Sequence, residues 1–164
     1  MARTDPTLPL VPSLLDRLFD DEPDVTSGDP LWARTRSAQD IREGVRRDLE
    51  MLLSTVHTRP ELVMSDSELA VSVLTYGLPD LTMRALDDPA EQALLCELIR
   101  STINRFEPRL REVRVSVRKA ESRVARTIQL QIDAVLHVDP LIERVAFDTL
   151  IESTGGNCVV RTAS

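Results

Sequence analysis

The order of hydrophobic periods along this chain predicts an α+β fold: about three to four helices followed by an antiparallel sheet of three to four strands. Three observations carry the prediction. Up to Glu107, apolar residues recur every three or four positions, the spacing of one helix face. After Pro108 they recur every second position in runs separated by turn or polar residues, the spacing of strands with one buried face. The helical and strand segments are not interleaved, which argues against the βαβ series of a parallel sheet.

The elements follow in order. Pro6, Pro9 and Pro12 make residues 1–12 an extended lead-in, and Ser13 with Asp16 caps a short helix over Leu14 to Phe19. The acidic stretch 20–30, broken by Pro23, Gly28 and Pro30, is a linker. Residues 1–36 are therefore an N-terminal arm, and 37–164 a single α+β domain. Ser37 with Asp40 opens the first long helix, whose apolar stripe is Ile41, Val45, Leu49, Leu52 and Val56. A shorter helix is expected from about Ser67 to Tyr76, with Gly77 as its C-cap and Pro79 beyond it. Asp88 and Pro89 start another, with the stripe Leu94, Leu95, Leu98, Ile99, Thr102 and Ile103, which ends at Glu107 because Pro108 disfavours helix in the residue before it. The strands are marked by Val113, Val115 and Val117, by Ile128, Leu130, Ile132 and Ala134, and by Val145, Phe147, Thr149 and Ile151. A last short run covers Cys158 to Arg161.

With 164 residues, 27 acids and 20 bases, the chain carries a net charge of −7. The charge is uneven: residues 1–30 carry −5, 31–99 carry −5, 100–126 carry +6 and 127–164 carry −3. A globally acidic protein is a poor nucleic-acid binder, since phosphate neutralisation drives that affinity. The basic run 105–126 also contains no aromatic residue after Phe106 on which bases could stack. No apolar run approaches the roughly 20 residues that span a bilayer. Thr7 to Leu15 holds two prolines and lacks a basic n-region, so no secretory signal is expected. The expected location is the cytoplasm.

The catalytic inventory is thin. Cys96 and Cys158 cannot form a disulfide framework, and His57 and His137 leave little for a metal. His57 falls at the frayed end of a helix and His137 at a strand end, neither beside a nucleophile signature. With five glycines there is no P-loop or dinucleotide-binding loop. No catalytic, metal or cofactor-binding residues are assigned. Glycoside hydrolysis needs two carboxylates about 5–9.5 Å apart, and the best acid for it is Glu107, beside apolar Phe106 where burial would raise its pKa.

Glu107-Pro108-Arg109 sets two opposite charges about a rigid proline where the last helix hands over to the sheet. It suits either a helix stop with a local ion pair or a charged corner presented to a partner. The motif also completes a series. Leu14-Leu15-Asp16-Arg17-Leu18, the segment Val45 to Thr55, Tyr76-Gly77-Leu78-Pro79-Asp80-Leu81 and Ile103 to Leu110 stand in that order. With them the chain resembles the baseplate wedge family of contractile phage tails and type VI secretion systems, called TssE in the secretion branch. The Leu-Leu-Asp-Arg-Leu element points to that branch. Two departures are Ser54-Thr55-Val56, where the family often has Asn-Thr-Arg, and Thr75 in place of an Asn.

The resemblance implies a non-enzymatic assembly subunit. Its partners would be the larger wedge subunits (TssF and TssG type) and the contractile sheath, whose first ring it would help to initiate by strand pairing. It places the protein in a cytoplasmic baseplate docked at the inner membrane, without insertion into the membrane. It makes Glu107, Pro108 and Arg109 the partner-binding residues, and an Arg109→Glu variant is expected to keep its fold while losing its partners. The sheet edge expected to accept a strand is Asn157–Arg161. The phage relative's "lysozyme-like" label names the alternative, a peptidoglycan-cleaving enzyme using Glu107.

Overall fold

A computed structural model describes residues 38–57, 68–82, 84–85, 87–118, 127–152 and 158–162. Among these residues two α-helices, α1 (Ala38–Ser54) and α2 (Pro89–Phe106), precede four strands: β1 (Leu110–Arg118), β2 (Thr127–Val138), β3 (Leu141–Glu152) and β4 (Cys158–Thr162). The strands form one antiparallel meander in the order β1-β2-β3-β4. The α+β class and the four-stranded sheet agree with the sequence reading, while among the described residues there are two α-helices against the three to four expected. The expected Leu14–Phe19 helix and the acidic linker lie outside the described residues.

The expected helix from about Ser67 to Tyr76 is two short 3-10 turns, Glu68–Val71 and Val73–Thr75, divided at Ser72. Side chains compete with the helical ladder there. The Ser72 hydroxyl donates to Leu69 O (2.8 Å) and accepts from Leu74 N (3.3 Å), while Thr75 Oγ1 donates to Ala70 O at 2.8 Å. Ser and Thr offer the backbone this alternative, and β-branched Val71, Val73 and Thr75 weaken the helix further.

α2 begins as expected, with Asp88 accepting from Ala90 N at 2.9 Å and Pro89 in the first turn. Its buried face is Leu95, Ile99, Thr102 and Ile103, while Leu94, expected in the stripe, is exposed. α1 buries Ile41, Gly44, Val45, Leu49, Leu52 and Leu53. Val56 was expected in that stripe but lies beyond the helix end, exposed, in a parallel bridge to Leu78. His57 is buried rather than at a frayed end, its N–H donating to Leu78 O at 2.9 Å.

Both helices cover one face of the sheet, α2 chiefly against β1 and α1 against β4. The sandwiched core takes alternate strand residues, led by Leu130, Ile132, Leu136, Phe147 and Ile151. β1 departs from simple alternation. Arg111 opposes Val135 and Arg114 opposes Asp133, so Glu112 and Val113 together face Ala134. This is a bulge, with Glu112 at φ 54°. It lets both Leu110 and Val113 point into the core at a spacing of three. The β2–β3 turn contains a cis Asp139–Pro140 bond.

Gly77 follows the second 3-10 turn at φ 107°. A Cβ there would lie 2.2 Å from the Thr55 carbonyl oxygen, because Leu78 N donates to that same oxygen at 2.8 Å. The backbone can neither accept a side chain at this φ nor give way. Gly77→Ala is therefore expected to cost about 2–4 kcal/mol of unfolding free energy, measured by urea titration.

Cys158 faces the core, and burial, with the Glu50 carboxylate, pushes its thiol up to about 12. Cys96 is half-buried, and burial raises its thiol too. A folded pKa above the unfolded one means that the Cys158 contribution is intact below about pH 9 and is lost as pH rises towards 12. Stability should decline over that window. At about pH 8 a thiol reagent should modify Cys96 well before Cys158; equal rates would contradict this burial.

Candidate functional site

The corner between α2 and β1 is built from its own ends outward. Glu107 caps α2, its N–H donating to Ile103 O at 2.8 Å, and its carbonyl accepts from Leu110 N at 3.1 Å as the chain turns into β1. Pro108 between them is exposed. Glu107 therefore points into the protein: its side chain is only 7% exposed.

Its carboxylate is taken by the Arg109 guanidinium. Arg109 Nε donates to Oε1 at 2.6 Å and Nη2 to Oε2 at 2.5 Å, a two-toothed fork, and the Arg109 backbone N–H adds a 3.3 Å bond to Oε1. Such parallel N–H···O pairs are the strong, directional form of this contact. Nη2 also donates to Asp48 Oδ2 on α1 at 2.5 Å. Asp48 is 14% exposed and Arg109 23%. One cation thus binds two carboxylates and ties α1 to the α2–β1 corner. Burial works against the Arg109 charge, but the Glu107 and Asp48 carboxylates outweigh it and hold its pKa above the ordinary value.

Tyr76 and Phe106 close one side, their rings 5.3 Å apart and edge to face. Burial, then Asp48 and Glu107, raises the Tyr76 pKa. Arg47 comes within 3.9 Å of Asp48 from the same helix.

Glu107, Pro108 and Arg109 are together as the sequence places them, but Glu107 faces inward and only Pro108 and the outer side of the guanidinium meet solvent. Asp48 and Tyr76 were not foreseen as members. The signal for Asp48 is its position directly before Leu49 in the α1 stripe; nothing local in the sequence ties it to Arg109. His57 lies buried at the α1 exit and His137 near the end of β2.

Chemically the arrangement holds shape. Both Glu107 oxygens are occupied by the fork, and the second carboxylate shares the same cation, so neither is presented as an acid to a substrate. Among the described residues no group of three or more His, Cys, Asp or Glu could hold a metal, and no helix is long and apolar enough to cross a membrane.

The family model described as baseplate wedge protein gp25 matches residues 39–141, a span that takes in α1 from its second residue, α2, the corner, β1 and β2. No curated protein and no solved structure matches the chain.

Removing one partner of a buried ion pair strands the other. Arg109→Ala is expected to lower the unfolding free energy by about 3–5 kcal/mol, measured by chemical denaturation. Adding Glu107→Gln to it should recover part of the loss. Arg109→Glu would set three carboxylates together, so it should destabilise the fold rather than leave it intact.

Proposed function

The chain belongs to the baseplate wedge protein gp25 family, and on that premise we propose that it is the TssE-type wedge subunit of a contractile type VI secretion apparatus. The family supports a structural role in a baseplate and interaction with other baseplate components. The finer reading is docking of the Glu107–Arg109 corner onto the wedge core, formed by TssF- and TssG-type subunits in a cytoplasmic baseplate at the inner membrane. A second finer element is help in starting the sheath.

The observation that carries the docking reading is the clamp. It spends buried Glu107, partly buried Asp48 and one guanidinium on holding a surface corner in one shape, and that corner exposes Pro108 and neighbouring Asn104. The docking surface is then the outer side of the corner, with Glu107 and Arg109 acting by positioning it. The same occupancy of Glu107 weighs against the peptidoglycan-cleaving alternative.

For sheath initiation, strand addition needs an unpaired sheet edge. Among the described residues β4 is one of the two edge strands, and Cys158–Arg161 falls within it; Asn157 lies outside them. Yet two alternate β4 carbonyls are engaged from α1: Ser54 Oγ donates to Cys158 O at 3.2 Å and Arg46 Nη1 to Val160 O at 3.0 Å. Among the described residues no side chain bonds the β1 backbone over residues 111–118, which favours β1 as the receiving edge over the segment 157–161.

Asn104→Glu places a charge on the exposed side of α2, one turn before Glu107, without touching the clamp. The expected result is a stability within about 0.5 kcal/mol of the parent and a loss of about tenfold or more in co-purification with co-expressed TssF- and TssG-type subunits. Undiminished co-purification would remove this corner from the interface.

A further inference from the structure

The face of the sheet opposite the helices carries a charge pattern that the corner does not explain. Register places its side chains in rows across the strands. Arg111, Val135 and Arg144 form one row, and Arg114, Asp133 and Ala146 the next. Ser116, Gln131, Asp148 and Arg161 follow, then Arg118, Gln129, Leu150 and Val159. The two aspartates are already engaged: Asp133 accepts from Gln131 Nε2 at 2.9 Å, and Asp148 lies 3.2 Å from Arg118 Nη1.

That leaves Arg111, Arg114, Arg144 and Arg161, all exposed, without a hydrogen bond or ion pair among the described residues. The remaining described arginines are all engaged. Arg42, Arg46, Arg47, Arg84, Arg100, Arg109 and Arg118 have carboxylate partners, and Arg105 donates to the Ala70 carbonyl. The free guanidinium groups of the described chain are thus gathered on one surface. With Arg118, Asp133, Asp148 and Glu152 counted, the paired rows of this face are net +2, and still +1 when exposed Glu112 in the β1 bulge is included, in a protein of −7.

Between the arginines lie apolar side chains. Ile142 is 53% and Val159 42% exposed, and Val135, Ala146 and Leu150 are half-buried. A groove of about 300 Å³ lies beside Leu150 and Val159, with Arg118, Asp148 and Arg161 among its walls.

We propose that this open sheet face docks an acidic segment of a partner protein, its carboxylates meeting the four free arginines and its apolar residues meeting Ile142, Leu150 and Val159. Guanidinium groups bind carboxylates in a planar fork and are weakly hydrated, which suits a protein interface. Nucleic acid fits less well. Carboxylates sit in the middle of the face, and none of the described aromatic residues lies on it. The surface is set by the sheet and does not rest on the role given to the Glu107 corner.

Full-length protein titrated with a labelled peptide of repeated Glu-Glu-Leu tests this. A length of about 20 residues spans four strands spaced about 4.8 Å apart. An oligodeoxythymidylate of similar length is the competitor. The peptide should bind with an affinity that falls as salt is raised. Arg111→Ala with Arg144→Ala should weaken it about tenfold or more. Arg100→Ala, at a paired arginine on α2, should change it less than about twofold. Both substituted face residues are exposed and unbonded, so an unchanged melting temperature accompanies the loss. No peptide binding, equal binding by the double variant, or tighter binding of the oligonucleotide would each overturn the proposal.

Discussion

Arg109 stands where three pieces of the chain meet, and its two carboxylate contacts fix how they meet. α1 and α2 share few direct contacts; each lies on its own half of the sheet, α1 over β4 and α2 over β1. Apolar burial alone would leave the angle between the helices loosely determined, because the hydrophobic term is non-directional. The Glu107 fork sets the turn from α2 into β1, and the bond from the same guanidinium to Asp48 sets where α1 lies relative to that turn. At the far side of the sheet, Arg46 and Ser54 bond β4 carbonyls and hold α1 there too. Directional polar contacts therefore give the two-helix layer its orientation, and the core gives it adhesion.

The clamp is costly as a source of stability, which bears on why it is present. Desolvating two carboxylates and a guanidinium consumes most of their mutual attraction, and well-packed apolar residues of the same volume could hold the junction as firmly. What apolar packing does not supply is a single geometry at a surface corner. A cation that must satisfy two anions at once tolerates little displacement of Asp48, Glu107 or the proline between Glu107 and Arg109. That restriction suits a family whose members take a place in a baseplate.

The strands were legible because burial on one face writes itself into every second residue: Ile128 to Ala134 and Val145 to Ile151 sit in the core as their alternation implied. α2 was legible through Asp88, Pro89 and Pro108, which act locally. The Glu68–Thr75 segment was not, because its apolar spacing fits a helix while the bonds from Ser72 and Thr75 that break it depend on side-chain rotamers. The β1 bulge left a trace in the spacing of three between Leu110 and Val113, visible only once β1 is known to start at Leu110. At the site, Glu107 and Arg109 could be paired by adjacency. Asp48, 61 residues from Arg109, could not, because no local pattern encodes which face of α1 meets the corner.

The same alternation explains how one basic segment of sequence comes to play two roles. Within 100–126 the net charge is +6, but the fold sorts its members by position. Arg109 precedes β1 and turns inward to the clamp, while Arg111, Arg114 and Arg118, within β1, stand on the open face of the sheet. The bulge at Glu112 shifts the register by one residue, which keeps Arg114 on the same face as Arg111 despite the odd spacing between them. Without it, Arg111 could share a face with Val113 and Val115 but not with Arg114, and the arginines would divide between core and surface. Glu112 at φ 54° is thus a backbone cost that keeps the arginines of β1 on one side and Leu110 and Val113 on the other.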